Sequence, residues 1–296
     1  MPSPKLLDLL MRAYYRLAEP LLVRLRKRRR LRAWQAPQPL PRLALSLCAA
    51  RAQGPGAAHA LRRMRAVAAR YDMRRRGEPD AAARRRATPM MLDLAACGDA
   101  AGLHRLLRAH SSRTGSKIRR AERLGYRVAR FALPTYVHDV HAVKTSMALR
   151  SGGPVLARWL LRPEHLARPA ATLQPPPLPG CPTHWTLWWG VFQDAPGHRN
   201  GRVATGQRLV AYAKLARCGE VVHYLDVMGH RDHLRHGVML LLHARIAECL
   251  LRGEAPWTRG VRVLFYSALE HGGSGLLAWK RRAGFAPVRV QLDDPA

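Results

Sequence analysis

Glu220-Val221-Val222-His223-Tyr224-Leu225-Asp226-Val227-Met228 runs, after Gly229, into His230-Arg231-Asp232-His233-Leu234-Arg235-His236-Gly237-Val238-Met239, and this junction decides the fold. The first half, rich in Val and closed by Gly229, reads as a strand. Beyond it, residues 234–252 carry apolar side chains at helical spacing. Upstream, residues 184–193 and 207–217 are two more runs rich in Trp, Val, Leu and Tyr, separated by Gly-containing turns. Downstream the pattern predicts a strand at 261–266, a helix at 275–283 and a last strand at 285–292. Further back, residues 99–124 read as helical, with Leu103, Leu106 and Leu107, then Ile118, Ala121 and Leu124, and Gly125 as the stop. Residues 126–131 alternate as a strand does, a helix is expected at 135–150, and the Pro-rich stretch 174–182 reads as a loop. Strand, helix, a long excursion, three strands, then helix, strand, helix and strand imply an α/β or α+β domain with a mixed sheet. Its hairpin neighbours should be antiparallel, and strands joined through a helix parallel.

The chain has 296 residues, 48 % hydrophobic and 24 % charged, which belongs to a folded domain rather than a disordered chain. The most apolar run, 238–251, is interrupted by His243, Arg245 and Glu248, so no spanning helix is expected. Asp8, Arg12 and Glu19 interrupt the N-terminal region where a signal peptide would need an uncharged core. Cys48, Cys97, Cys181, Cys218 and Cys249 form no CxxC pair and are odd in number, so neither a zinc ribbon nor a disulfide framework is suggested. A reducing cytoplasm is the expected compartment, with peripheral association at the inner membrane face as the variant of it.

The net charge is +32, and residues 1–130 hold 31 basic and 8 acidic side chains of the 51 and 19 in the chain. Such a field attracts nucleic acid, anionic lipid or an anionic cofactor. Only six of the basic residues are Lys, and Arg with abundant Ala is also what a GC-rich genome produces. Residues 1–33 read as a basic amphipathic helical segment: Leu7, Leu10, Tyr14 and Leu17 share one face, Pro20 breaks or kinks it, and Leu21, Leu22 and Leu25 lead into Arg26-Lys27-Arg28-Arg29-Arg30. Either the leucines pack on the body of the protein with the arginines solvated, or the segment lies on an anionic membrane; an RNA surface is a further reading. Residues 34–98, rich in Pro, Gly, Ala and Arg, are expected as short helices and mobile connections, and residues 99–296 as the main domain.

The element order resembles the GNAT superfamily of acyltransferases, in which three antiparallel strands lead into a long helix whose N-terminus holds the pyrophosphate of acyl-coenzyme A. Gly275-Leu276-Leu277-Ala278-Trp279-Lys280-Arg281-Arg282-Ala283-Gly284-Phe285 is similar to the G-L-x-x-F-K-x-x-x-G-F signature of the FemAB-like branch, with Trp279 in place of Phe. Lys117-Ile118-Arg119-Arg120-Ala121-Glu122-Arg123-Leu124-Gly125-Tyr126 resembles the basic helix that precedes the first strand there. The resemblance covers about residues 110–292. It implies a GNAT-like, mostly antiparallel mixed sheet flanked by helices, and transfer of an acyl group from acyl-coenzyme A to an amine. A FemAB-like alternative takes the acyl group from aminoacyl-tRNA, and a third reading is a non-catalytic basic protein that binds nucleic acid or membrane. A helix N-terminus offers unpaired N–H groups and a positive dipole end to phosphate, so Arg231, Arg235, His236, Gly237 and Val238 are the expected donor contacts, joined by Lys280. The usual R/Q-x-x-G-x-G/A loop is altered, since Leu234 stands at the basic or amide position and Met239 at the small one.

Proton transfer and oxyanion stabilisation call for a base and a donor where the strands end. His223, Tyr224, Asp226, Tyr266, Glu270 and His271 lie there, and strict alternation would put His223 on the face opposite Tyr224 and Asp226. Asp226 and Glu270 are the expected proton acceptors and Tyr266 the hydrogen-bond donor. His230, His233 and His236 recur every three residues, but no metal motif frames them and no metal is expected. His138 and His141 read as surface helix residues.

Overall fold

In a computed structural model, residues 17, 19–37, 39–75, 77–147, 149–150, 153–154 and 162–293 are described. The amphipathic face expected from Leu7, Leu10 and Tyr14 lies outside them. In chain order the main elements are α1 (Glu19–Trp34), β1 (Arg42–Leu45), α2 (Gly54–Ala68), β2 (Met73–Arg75), β3 (Pro89–Asp93), α3 (Ala100–His110), α4 (Arg113–Arg123), β4 (Arg127–Phe131) and α5 (Val137–Thr145). There follow β5 (His184–Asp194), β6 (Gln207–Cys218), β7 (Val221–Gly229), α6 (Val238–Arg252), β8 (Val263–Ala268), α7 (Ser274–Arg282), β9 (Ala286–Pro287) and β10 (Arg289–Leu292).

Seven strands form the main sheet in the order β9-β3-β8-β7-β6-β5-β4, and β1-β10-β2 form a second, three-stranded sheet. In the main sheet β7 and β8 pair parallel, while the other pairs are antiparallel. This is the mixed, mostly antiparallel α/β arrangement expected from the element order, with the parallel pair at the helix crossover.

One face of the sheet is covered by α6. Leu187, Val191, Ala213, Leu215, Val222, Tyr224 and Leu264 meet Val238, Leu241, Leu242 and Ile246 in one buried cluster. The other face has two separate covers. At one end α5 packs Val140 and Val143 against Phe131, Phe192, Leu209 and Tyr212. At the other, α2 and the small sheet bring Met64, Ala68, Val290 and Leu292 onto Met91, Val221, Val263 and Phe265.

Several elements differ from the sequence reading, each for a local reason. The helix expected over 99–124 is two, because Asp99 caps α3 by accepting from the Gly102 N–H and a break at Ser111–Ser112 precedes α4. The helix expected from 234 starts at Val238, since Gly237 has φ +88° and residues Arg231–His236 form a 3₁₀ turn. The last strand is divided. Pro287 occupies the edge strand β9 beside Met90, and the chain then crosses at Val288 to join β1 and β2 as β10. Residues 34–98 hold more order than expected: β3 is a strand of the main sheet between β8 and β9, and α2 is a 15-residue helix on its face. Four successive buried residues, Pro89-Met90-Met91-Leu92, are the trace of β3 in the sequence, a strand covered on both faces and so without alternation.

Candidate active site

β7 and β8 pair for three residues only, Val221 with Val263, Val222 with Leu264 and His223 with Phe265. Past that point β7 continues with β6 while β8 continues with β3. The two strands therefore part, and the gap between Tyr224–Gly229 and Tyr266–Ala268 opens in the middle of the sheet. Facing strand edges there carry main-chain N–H and C=O groups that the β7–β8 ladder leaves to other partners.

The register of β6 on β7 slips in the same region: Lys214 opposes Asp226, Leu215 opposes Tyr224, and Leu225 is the extra residue. Such a bulge reverses the alternation of the strand. Tyr224 consequently faces α6, its Oη 3.0 Å from Nδ1 of His243, whereas Asp226 turns to the opposite face. There Lys144 of α5 donates to its Oδ2 at 2.5 Å and Tyr212 Oη donates to the same oxygen at 2.9 Å. His223 points to that face as well, stacked on Phe265 with ring centroids 4.4 Å apart. The separation expected from strict alternation is thus corrected: Asp226 and His223 share a face and Tyr224 does not. Burial and then the nearby Arg63 lower the His223 pKa to about 3, so the imidazole is neutral.

Cations gather around Asp226. Lys214 lies 5.1 Å above the Trp188 ring and Lys144 5.4 Å above that of Tyr212. Burial first, and then Arg63 and Lys144, lower the Lys214 pKa, while Asp226 opposes the shift. Across the gap, Tyr266 packs on Trp279, Tyr224 and Phe285 with centroids 5.3 to 5.9 Å apart. Burial and the Asp226 charge raise its pKa to about 12, so the phenol keeps its proton and is a donor. Asp226 and Tyr266 thus stand on the two strands that part, Asp226 toward α5 and the Tyr266 ring on the α6 side, close enough for the Asp226 charge to act on the phenol.

Glu270 is held elsewhere. Both its oxygens accept from the Thr88 N–H, at 3.0 and 3.2 Å, and one also from Thr88 Oγ1 at 2.7 Å, which ties the loop after β8 to the start of β3. Burial raises its pKa despite these bonds. Lys280, expected as a donor contact, is instead drawn into the interior beside Trp279, which packs against the main core. Lys280 is fully buried and donates to the carbonyls of Ala268 at 2.5 Å and His271 at 3.3 Å, while Trp279 is half-buried with an unpartnered Nε1. Two carbonyl acceptors offset part of the cost of burying the ammonium. Desolvation lowers the Lys280 pKa to about 7.

At the top of β7, the side chains of Arg231 and Arg235 are exposed, and Arg235 Nε donates to His236 Nε2 at 3.2 Å. Gly237 has no cap bond from a side chain, but a Cβ there would sit 2.7 Å from the carbonyl oxygen of Lys117, so its close neighbour is α4. Val238 is buried. Leu234 and Met239, the two departures from the usual loop pattern, both pack over Gly229, where a Cβ would meet each at 2.7 Å. Tyr126 Oη lies 2.7 Å from Nδ1 of His233 and 2.8 Å from Nδ1 of His236, so these histidines close the turn onto β4. Among the described residues no group of three or more His, Cys, Asp or Glu side chains is placed to hold a metal. His138 is half-buried, its ring filling the space beside Gly201.

Sequence reasoning missed Lys144, Tyr212, Lys214 and Ser267. Ser267 has φ +56° and Oγ 3.1 Å from Nδ1 of His271, and it lies at the irregularity between Phe265 and Ala268 in the pairing of β8 with β3. No local pattern marks a serine for the left-handed region. Lys144 was legible only as one of six lysines among 51 basic residues.

No protein-family model and no curated protein matches the chain. Among solved structures it is similar to a tandem GNAT protein from the clavulanic acid biosynthesis pathway (16 % identity, TM-score 0.36). It is also similar to the C-terminal domain of a lysylphosphatidylglycerol synthetase-like protein from Agrobacterium fabrum (14 %, 0.40) and to FemX (10 %, 0.42). Each likeness covers 68 % of this chain, and the chain spans 50, 58 and 59 % of theirs.

Proposed function

We propose that the protein is an acyltransferase that moves an acyl group to an amine in the gap between β7 and β8. The observation that carries this reading is the parting of two parallel strands after three residues, at a bulge that brings Asp226 to one rim while Tyr266 stands at the other. An extended donor laid in such a gap can bond to strand edges on both sides, with its reactive carbonyl held beside Asp226 and Tyr266. Holding donor and amine together makes attack nearly intramolecular. Asp226, oriented by Lys144 and Tyr212, takes the proton of the incoming ammonium; Tyr266, protonated at neutral pH, donates to the developing oxyanion or to the leaving group. The cations Lys144, Lys214 and Arg63 make the field around Asp226 positive and favour reactants that carry an anionic group. Glu270 and Lys280 serve by fixing the loop that follows β8.

For the donor, acyl-coenzyme A is the first reading, with Arg231 and Arg235 as its phosphate contacts beside the uncapped start of α6. The second, aminoacyl transfer from a charged tRNA, is favoured by one observation: Met239 and Leu234 fill the space over Gly229, and Lys117 lies against Gly237, where a pyrophosphate would approach the backbone. Native mass spectrometry of freshly purified protein, followed by transfer assays with acetyl-coenzyme A and with charged tRNA, distinguishes the two. Transfer from either donor that Asp226→Asn abolishes supports an acyltransferase; transfer that Asp226→Asn leaves intact refutes this site.

A further inference from the structure

α1 is docked by one side and bare on the other. On a helix of 3.6 residues per turn, Val23, Lys27, Arg30, Leu31 and Trp34 fall within an arc of about 100°. All five touch the body. Val23 packs with Ala87 and Ala268. Lys27 Nζ donates to the carbonyls of Arg84 at 2.9 Å and Arg86 at 2.7 Å, and Arg30 to that of Gly272 at 2.9 Å. Leu31 and Trp34 pack against the main core, and the Arg281 guanidinium lies 4.6 Å over the Trp34 ring. These bonds fix the rotation of the helix.

The opposite arc, of similar width, holds Leu21, Leu25, Arg28, Arg29 and Arg32. Leu21 is 58 % and Leu25 77 % exposed, and Leu17, just ahead of the helix, is 70 % exposed. Arg28, Arg29 and Arg32 on the same side are exposed too. The choice left open by the sequence, leucines on the body or leucines outward, is decided for Leu21 and Leu25: they point outward. Large leucines one turn apart in solvent, continued by three arginines, are uncommon on a helix whose other face is anchored.

We propose that this outer face of α1 is a docking surface for an anionic lipid bilayer, with Leu21 and Leu25 entering the acyl boundary and Arg28, Arg29 and Arg32 meeting the lipid phosphates. The charge is complementary to such a surface, and the leucines select lipid over RNA. Single-stranded RNA is held by phosphate contacts and base stacking on aromatic or guanidinium planes, for which aliphatic side chains offer nothing. Because the inner face of α1 bonds to Gly272, in the loop after β8, the bilayer would lie about one helix diameter, roughly 10 Å, from that loop. The inference stands independently of the acyltransferase reading.

Flotation of the full chain with phosphatidylcholine vesicles, with and without phosphatidylglycerol, tests it, alongside Leu21→Asp/Leu25→Asp and Arg28→Glu/Arg32→Glu. The expected result is binding of the wild type to the phosphatidylglycerol vesicles, weakened at least tenfold in each double variant, with melting temperatures within 2 °C or so of wild type for these exposed positions. If the leucine pair lowers the melting temperature, the arginine pair carries the test. No binding of the wild type to anionic vesicles overturns the proposal, as does equal binding by wild type and both variants. Binding of single-stranded RNA without vesicle binding assigns the surface to RNA instead. A dimer in light scattering that Leu21→Asp/Leu25→Asp dissociates, again without vesicle binding, assigns it to a second copy.

Discussion

The first three residues of the β7–β8 pair and the stretch that follows teach different things about one pair of strands. Val221, Val222, Val263, Leu264 and Phe265 are hydrogen-bonded across the ladder and buried on both faces. Two or three residues later the strands carry Asp226 and Ser267, the alternation of β7 has been reversed by a bulge, and the ladder between them has ended. Stability is concentrated in the paired half, and charge, donors and access in the parted half. A strand pair can hold both because α6 covers one face, whereas on the other α2 and the small sheet bury the paired half and α5 packs beside the parted one.

The largest effect is expected of Phe285→Ala, in the core beneath the parting. Its ring is fully buried against Tyr224, Tyr266, His243 and Trp279. Loss of that volume should cost about 3 to 5 kcal/mol, read as a fall in the denaturation midpoint with unchanged slope. A change under about 1 kcal/mol would show that the core beneath the gap collapses readily. Asp226→Asn acts on the parted half. It should lower the transfer rate about a hundredfold, close to 2.7 kcal/mol in the barrier, measured as kcat/KM, with a small change in melting temperature. Equal losses of rate and stability would mean that the Lys144–Asp226–Tyr212 group holds α5 to the sheet rather than serving the reaction.

Tyr266→Phe keeps the ring packing and removes the hydroxyl, so about a tenfold loss in kcat with unchanged unfolding is expected. Unchanged kcat would take Tyr266 out of the chemistry. The last comparison concerns Lys280, which joins the two halves by holding the loop after β8. Its pKa is lowered from 10.5 to about 7 by burial, so the folded protein releases this proton before the unfolded chain does. Stability should therefore rise as pH increases from about 7 towards 10.5, by at most ~1.4 kcal/mol per pH unit, and the burial penalty is fully present below about 7. Comparison with Lys280→Met isolates the effect, because only the wild type should show the slope. Parallel pH profiles would show that the ammonium is stabilised in place.

Much of the architecture is legible in the chain. The strands at 184–194, 207–218 and 221–229 are long, rich in aromatic and branched residues, and separated by glycines at positive φ such as Gly219. The crossover helix α6 has a continuous apolar face and ends at Gly253, again in the left-handed region. Asp226 and Tyr266 were reachable from their places near strand ends. Lys280 was marked by its motif, but the motif does not say that the ammonium is buried.

What the sequence by itself determined is the order and kind of the elements from 99 onward, because periodicity, glycine stops and caps act over a few residues and are written locally. What only the tertiary structure decided is which residues meet. The insertion of β3 between β8 and β9, the bulge at Leu225 that turns Asp226 to Lys144, and the outward rotation of Leu21 and Leu25 each depend on contacts between segments distant in the chain, and Lys27 with the carbonyls of Arg84 and Arg86 is the plainest case. A strand's pairing partner and a helix's rotation are set by what covers them, and that information is spread over the whole fold.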